Sequence, residues 1–320
     1  LKVASSVPVD YNRQPMNHTS HISVVIPVLN AGRYLPTLLP AIFAQRPVAP
    51  DEVILVDSNS TDDTVAIAAT FDRVRVVPAG KFSHGGARNL GVREAGGEIV
   101  VLMTQDAVPK GDDWLEKLLI PFEDPQVAAT YSRQVPYPDA NPMERYFLAT
   151  HFPPGLAVRR QKEGHRALHL GDVFFSNVSA AFRRQALLDH PFDETLIMSE
   201  DQQVSRDLLN AGFAVVYQPS SIVTHSHNYT LGVVFRRYFD SVYSLTKVFP
   251  RHDMGTSASM GFSYLGREVW HMLTRHPLWF PYYICYTCAK TAGTLAGHFA
   301  EKLPVSVTRR FSLHRYHWQG

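Results

Sequence analysis

Short apolar runs, each cut off by polar residues, recur through the first third of the chain. Residues 22–28, 52–56, 74–77 and 99–103 are rich in β-branched side chains and predict buried strands. Between the first two, Leu35, Leu38, Leu39 and Ile42 recur at helical spacing within 34–45. Thr61-Asp62-Asp63 offers side chains that cap the free N–H groups of a helix start. Residues 84–94 and 114–122 read as two further helices. Strands alternating with helices predict an α/β fold, a mostly parallel central sheet flanked by helices on both faces.

The middle is less regular. Residues 127–134 read as a strand, and the prolines of 136–142 then break the pattern. Residues 152–171, with Pro153, Pro154, Gly155 and Gly164, read as a loop suited to a mobile lid or to acceptor binding. A strand is expected at 177–182, a short helix at 184–190, and a helix opening at Ser199-Glu200-Asp201 and running to Asn210. Two short strands, 214–218 and 222–225, follow, and beyond His227 the pattern turns helical. The expected organisation is a flexible arm over 1–20, an α/β domain over 21–227 and a mainly helical region over 228–320.

A chain of 320 residues with 45% hydrophobic and 19% charged positions suits a globular protein with a sizeable core. The formal net charge of +2 gives no argument for nucleic acid. The basic residues are uneven, however, and outnumber acidic ones from Arg251 onward. There they mix with aromatics in 235–239, 270–286 and 309–318, which fits a bilayer interface, a helical core or an oligomer interface. Residues 277–299 include Lys290, Gly293 and Gly297, too polar for a span but compatible with a bilayer surface. The opening 20 residues lack an apolar stretch of the signal-peptide kind. Cys285 and Cys288 form a C-x-x-C pair without the further cysteine pair that a zinc site would need. They are expected as core or interface residues on adjacent helical turns, in a reducing cytoplasm.

Polar clusters follow four predicted strands: Asn30, Asp57 to Ser60, His84 to Asn89, and Asp106. In an open α/β sheet, ligands bind outside the carboxyl ends of the strands. Asp106 alone is either a turn and cap residue or a ligand for a hard cation beside phosphates. With Gly85, Gly86 and Arg88 nearby in the same edge, the set suits a nucleotide diphosphate and a metal.

The stretches Val25-Ile26-Pro27-Val28-Leu29-Asn30, Val56-Asp57-Ser58-Asn59-Ser60-Thr61-Asp62, Phe82-Ser83-His84-Gly85-Gly86-Ala87-Arg88-Asn89, Thr104-Gln105-Asp106-Ala107, Ser199-Glu200-Asp201 and His225-Ser226-His227 occur in that order. In these residues the chain resembles the inverting glycosyltransferases of family 2, which have the GT-A fold, and among them the bacterial rhamnosyltransferase branch. The resemblance covers 22–247 and implies a nucleotide-diphospho-sugar donor, with dTDP-rhamnose favoured, and a divalent metal, Mg²⁺ or Mn²⁺. It further implies a glycan or lipid-linked glycan acceptor used in bacterial surface-polysaccharide synthesis. Pro27, Asn30, Asp57, Ser58, His84, Arg88, Gln105 and Asp106 would bind the donor. Asp106 with His225 or His227 would hold the metal. Asp201 would be the general base, with Glu200 second. The family's D-x-D signature is reduced here to Thr104-Gln105-Asp106, one carboxylate instead of two.

Each residue also has a plainer reading. Asp57 suits a helix-capping turn, Arg88 a salt bridge, Glu200 and Asp201 a helix first turn, and His225 and His227 paired core or surface positions. A pyrophosphorylase would carry a glycine- and arginine-rich loop after the first strand, a dehydrogenase G-x-G-x-x-G, and a nucleotide triphosphatase a P-loop; these patterns are absent. The alternatives left open are a UDP- or GDP-sugar donor, and a non-catalytic glycan- or membrane-binding module on the same scaffold. The expected location is cytoplasmic, peripheral on the inner membrane face, with homo-oligomers allowed.

Overall fold

The computed structural model describes residues 7–9, 21–80, 83–162, 164, 167–249 and 254–318. Phe82 of the family motif, and most of the expected arm, lie outside the described residues. The chain divides into two compact units, one of Leu1–Tyr137, Leu148–Thr195 and Glu200–His225, the other of Pro138–Phe147, Leu196–Ser199 and Ser226–Gly320.

The first unit holds a ten-stranded sheet. Its strands in chain order are β1 (Val7–Val9), β2 (Ile22–Val28), β3 (Glu52–Asp57), β4 (Val74–Pro78), β5 (Ile99–Met103), β6 (Val108–Pro109), β7 (Val127–Val135), β8 (Ala157–Gln161), β9 (Ser179–Arg183) and β10 (Ala214–Thr224). In space they run β1-β8-β10-β7-β9-β5-β2-β3-β4, with β6 paired to β10. The strands β5, β2, β3 and β4 are parallel, as their alternation with helices requires. β9 enters antiparallel between β5 and β7, and β8 lies antiparallel to β10. The sheet is therefore mixed. β8 and β9 follow one another without an α-helix between them, so neither is tied to the helical crossover that makes the first half parallel.

The helices up to Asn210 are α1 (Leu35–Phe43), α2 (Thr64–Ala68), α3 (His84–Glu94), α4 (Trp114–Leu119), α5 (Pro142–His151, most of it assigned to the second unit), α6 (Arg184–Asp189) and α7 (Glu200–Asn210). Val24, Ile26 and Val28 of β2 pack with Leu35, Leu38, Leu39, Ile42 and Trp114 on one face. Val25 points the other way, towards α3, where a Cβ on Gly91 would sit 2.2 Å from Val25 Cγ1. Helices on both faces explain why this strand is apolar except at Ser23, whose hydroxyl donates to Glu52.

Three elements differ from the sequence reading. Pro142 breaks no helix; it starts α5, where a missing N–H costs nothing, and Asn141 Oδ1 accepts from Glu144 N at 2.9 Å. Within the expected loop, 157–161 form β8, because the backbone of β10 offers a pairing edge that local sequence does not reveal. The two short strands at 214–225 are one strand with a register shift between Gln218 and Ile222.

The second unit is helical, with α8 (Leu231–Val248), α9 (Met254–Arg275), α10 (Phe280–His298) and α11 (Val305–Phe311). α10 lies close against α8 through Gly293 and Gly297, where a Cβ would sit 2.3 and 2.5 Å from the Phe235 and Phe239 carbonyl oxygens. Cys285 and Cys288 are exposed rather than in the core, because that glycine face, not theirs, meets α8. Among the described residues, no helix is long and apolar enough to cross a membrane.

Candidate active site

The carboxyl ends of β2, β3 and β5 are knitted together by polar side chains. Asn30, in the left-handed region at φ 50°, accepts through Oδ1 from Thr61 N at 2.9 Å. Its own N–H donates to Ser60 Oγ at 2.8 Å. The Asp57 carboxylate accepts from Ser60 Oγ at 2.5 Å and from Ser60 N at 3.2 Å, so the turn-forming role of Asp57 is realised. Gln105 bridges to the next strand end, its Oε1 accepting from Leu29 N at 2.9 Å and its Nε2 donating to Leu29 O at 3.2 Å. Pro27 is half-buried in β2, in register with Val56. The hydroxyls of Ser58 and Thr104 are buried without a hydrogen-bond partner among the described residues.

A second group forms where α3 and α7 begin. Ser83 Oγ caps α3 by accepting from Gly86 N at 2.9 Å. The glycine pair serves packing, since a Cβ on Gly85 would sit 2.8 Å from Asp193 O. Asn89 ties the same segment down, donating to Phe192 O at 2.8 Å and accepting from Phe192 N at 3.0 Å. Arg88, buried, donates from Nη1 to the carbonyl of His84 at 3.0 Å and forms an ion pair with Glu200 Oε1 at 2.8 Å. Burial opposes the Glu200 charge, but Arg88 and then His84 outweigh it and hold that carboxyl below its ordinary range. For the adjacent Asp201 the balance reverses. Burial and then the Glu200 charge push it up to about 7, against Arg88 and the Gln202 N–H that donates to its Oδ1 at 2.9 Å.

A third group follows from strand register. The pairing of Thr224 with Val108 sets His225 beside the loop that carries Asp106. His225 Nε2 lies 3.6 Å from Asp106 Oδ1. Gln134 Nε2 donates to Ser176 Oγ at 2.9 Å, which turns Gln134 Oε1 towards His225 Nδ1, also at 2.9 Å. With Nδ1 engaged by Gln134, it is Nε2 that faces the Asp106 carboxylate. Asp106 and His225 thus set a carboxylate oxygen and an imidazole nitrogen side by side within the first unit, and His227 follows two residues later in the chain. A carboxylate and an imidazole fit a divalent cation such as Mn²⁺.

Gln134 and Ser176 are the orienting residues that sequence reasoning missed. Gln134 did carry a signal, as the polar end of an expected strand.

The model of glycosyl transferase family 2 matches residues 23–190. The chain belongs to that family. The family 2 chain is 33% identical over 304 residues to the O-antigen chain rhamnosyltransferase RfbN of Salmonella typhimurium, covering 93% of this chain and 96% of that protein. It is 34% identical over 305 residues to the O-antigen chain rhamnosyltransferase WbaN of Salmonella anatum, with the same coverage of 93% and 96%. Among solved structures, the mannosyltransferase PcManGT of Pyrobaculum calidifontis, in complex with GDP-Man and Mn²⁺, is similar with a TM-score of 0.57 and 19% identity, over 97% of this chain and 86% of that one. Glucosyl-3-phosphoglycerate synthase of Mycobacterium tuberculosis, in complex with Mn²⁺, UDP-glucose and phosphoglyceric acid, gives 0.51 and 20% over 72% and 80%. These likenesses concern the fold, which is the GT-A α/β fold, and the chain is a glycosyltransferase.

Proposed function

We propose that this chain transfers L-rhamnose from dTDP-rhamnose, with inversion, onto a glycan or lipid-linked glycan acceptor in O-antigen assembly. Support for the sugar and pathway comes from the two rhamnosyltransferases similar along nearly their whole length. The chemistry rests on one observation: at Asp201 a half-buried carboxyl, lifted to about 7, sits beside a carboxylate already neutralised by Arg88. A base poised near neutral pH is what an acceptor hydroxyl needs.

In the proposed reaction, the acceptor oxygen bonds to the anomeric carbon as Asp201 takes its proton and the bond to the diphosphate oxygen breaks. A single displacement inverts the centre and needs no covalent intermediate. Glu200 serves as the charge that tunes Asp201, and Arg88 holds Glu200 ionised. Asn30, Asp57, Ser58 and Gln105 shape the nucleoside edge. Asp106, His225 and His227 would hold Mg²⁺ or Mn²⁺, which when bound supplies positive charge against the leaving diphosphate. The acceptor would be met at the inner face of the cytoplasmic membrane.

Thermal unfolding with dTDP, UDP, GDP and their sugars, with and without metal, tests this reading. A ligand at ~100 times its Kd adds about 2.7 kcal/mol. The expected result is a dTDP-selective, metal-dependent shift. A UDP- or GDP-selective shift would discard rhamnose, and no shift with any nucleotide would leave a non-catalytic scaffold.

A further inference from the structure

The turn between α9 and α10 is apolar on the side that the helical unit does not use. Met272 and Tyr283 point inward, fully buried, and pack with Met143. Their neighbours point out: Trp270 is 68% exposed, Leu278 95% and Trp279 43%, and Leu273, Tyr282 and Ile284 are exposed too. Helices with one apolar face need one cover, whereas this hairpin has a second apolar face with no cover among the described residues of its own unit.

Charge says what that cover is. From Val269 to Ala300 the chain has no acidic residue, while Arg275 and His276 stand at the turn and Arg267 is exposed one turn before Trp270. Two copies meeting through this tip would set cationic surface against cationic surface. An anionic headgroup layer would instead pair with the arginines and accept the Trp and Tyr rings, which favour the interface. The segment is not apolar enough to cross a bilayer, so it would lie at the surface.

We propose that the α9–α10 hairpin is a docking element for anionic phospholipid bilayers, inserting Leu278 and Trp279 at headgroup depth. It deepens the reading above by naming how the enzyme would reach a lipid-linked acceptor, and it rests on that reading only for its purpose. The interaction draws on both apolar burial and charge, so it weakens as salt rises.

The test is flotation of the full chain with phosphatidylglycerol-containing and phosphatidylcholine-only vesicles, alongside light scattering and the nucleotide thermal shift on the same preparations. The wild type is expected to float with anionic vesicles only. The double variant Leu278→Ser, Trp279→Ser is expected to partition about tenfold less or weaker still, with its nucleotide shift intact. Arg275→Glu is expected to lose anionic selectivity. Wild type that fails to float, or a double variant that floats equally, overturns the proposal. A self-association that the double variant abolishes, without flotation, assigns the tip to a second copy and overturns it as well. Flotation with no nucleotide shift would instead sink the glycosyltransferase donor reading and leave the docking element standing.

Discussion

Asp106 and Asp201 are carboxylates of one unit, and their surroundings give them opposite tasks. Asp106 faces the Nε2 side of His225, whose Nδ1 is engaged by Gln134. Asp201 follows Glu200, whose charge is kept in place by the buried Arg88. One environment sets a carboxylate beside an imidazole, a donor set that fits a divalent cation. The other already contains a cation, but spends it on the neighbouring carboxylate. In the proposed reaction the same side chain serves as a metal ligand in one place and a proton acceptor in the other, set by its neighbours.

The comparison breaks most visibly at the base. Asp201→Asn is expected to lower kcat by about a thousandfold while the metal-dependent nucleotide shift stays, because only proton removal is lost. Equal kcat would remove Asp201 from the reaction. Next comes the orientation of His225. Gln134→Leu is expected to weaken metal binding by about 10- to 100-fold, read as the Mn²⁺ concentration needed for half the nucleotide-dependent shift, with kcat at saturating metal little changed. A smaller effect separates Glu200 from its neighbour. In Glu200→Gln the rising limb of the pH–rate profile is expected to move to lower pH, since the like charge that lifts Asp201 is gone. Smallest is the stability slope. Between the ordinary aspartate value of 3.8 and about 7, the folded chain keeps a proton on Asp201 that the unfolded chain has released. That contribution makes stability fall as pH rises through the window, and Asp201→Asn is expected to flatten it in urea titrations.

Much of this was visible in the residues themselves. β2, β5 and α3 appear where expected, because strands covered on both faces read as largely apolar runs and Ser83 provides a cap. The antiparallel strands were harder. β8 reads Ala-Val-Arg-Arg-Gln, and only pairing with the distant β10 makes it a strand. In the site, the order of motifs pointed to Asp106, Asp201 and His225. That Arg88 would turn to Glu200, 112 positions on, is decided by the tertiary fold, which no local pattern encodes. Gly85 and Gly86 suit a phosphate cradle by sequence, yet their immediate demand is steric, the approach of Asp193 to Gly85 and of the Ser83 hydroxyl to Gly86.

The most direct test of the division between the two carboxylates is the pH dependence of kcat at saturating donor, acceptor and metal. The account predicts a rate that rises with a single ionisation near 7 in the wild type, and a low, flat profile in Asp201→Asn. A wild-type profile flat from pH 5 to 9 would contradict it, since Asp201 lifted to about 7 and acting as base must leave that limb.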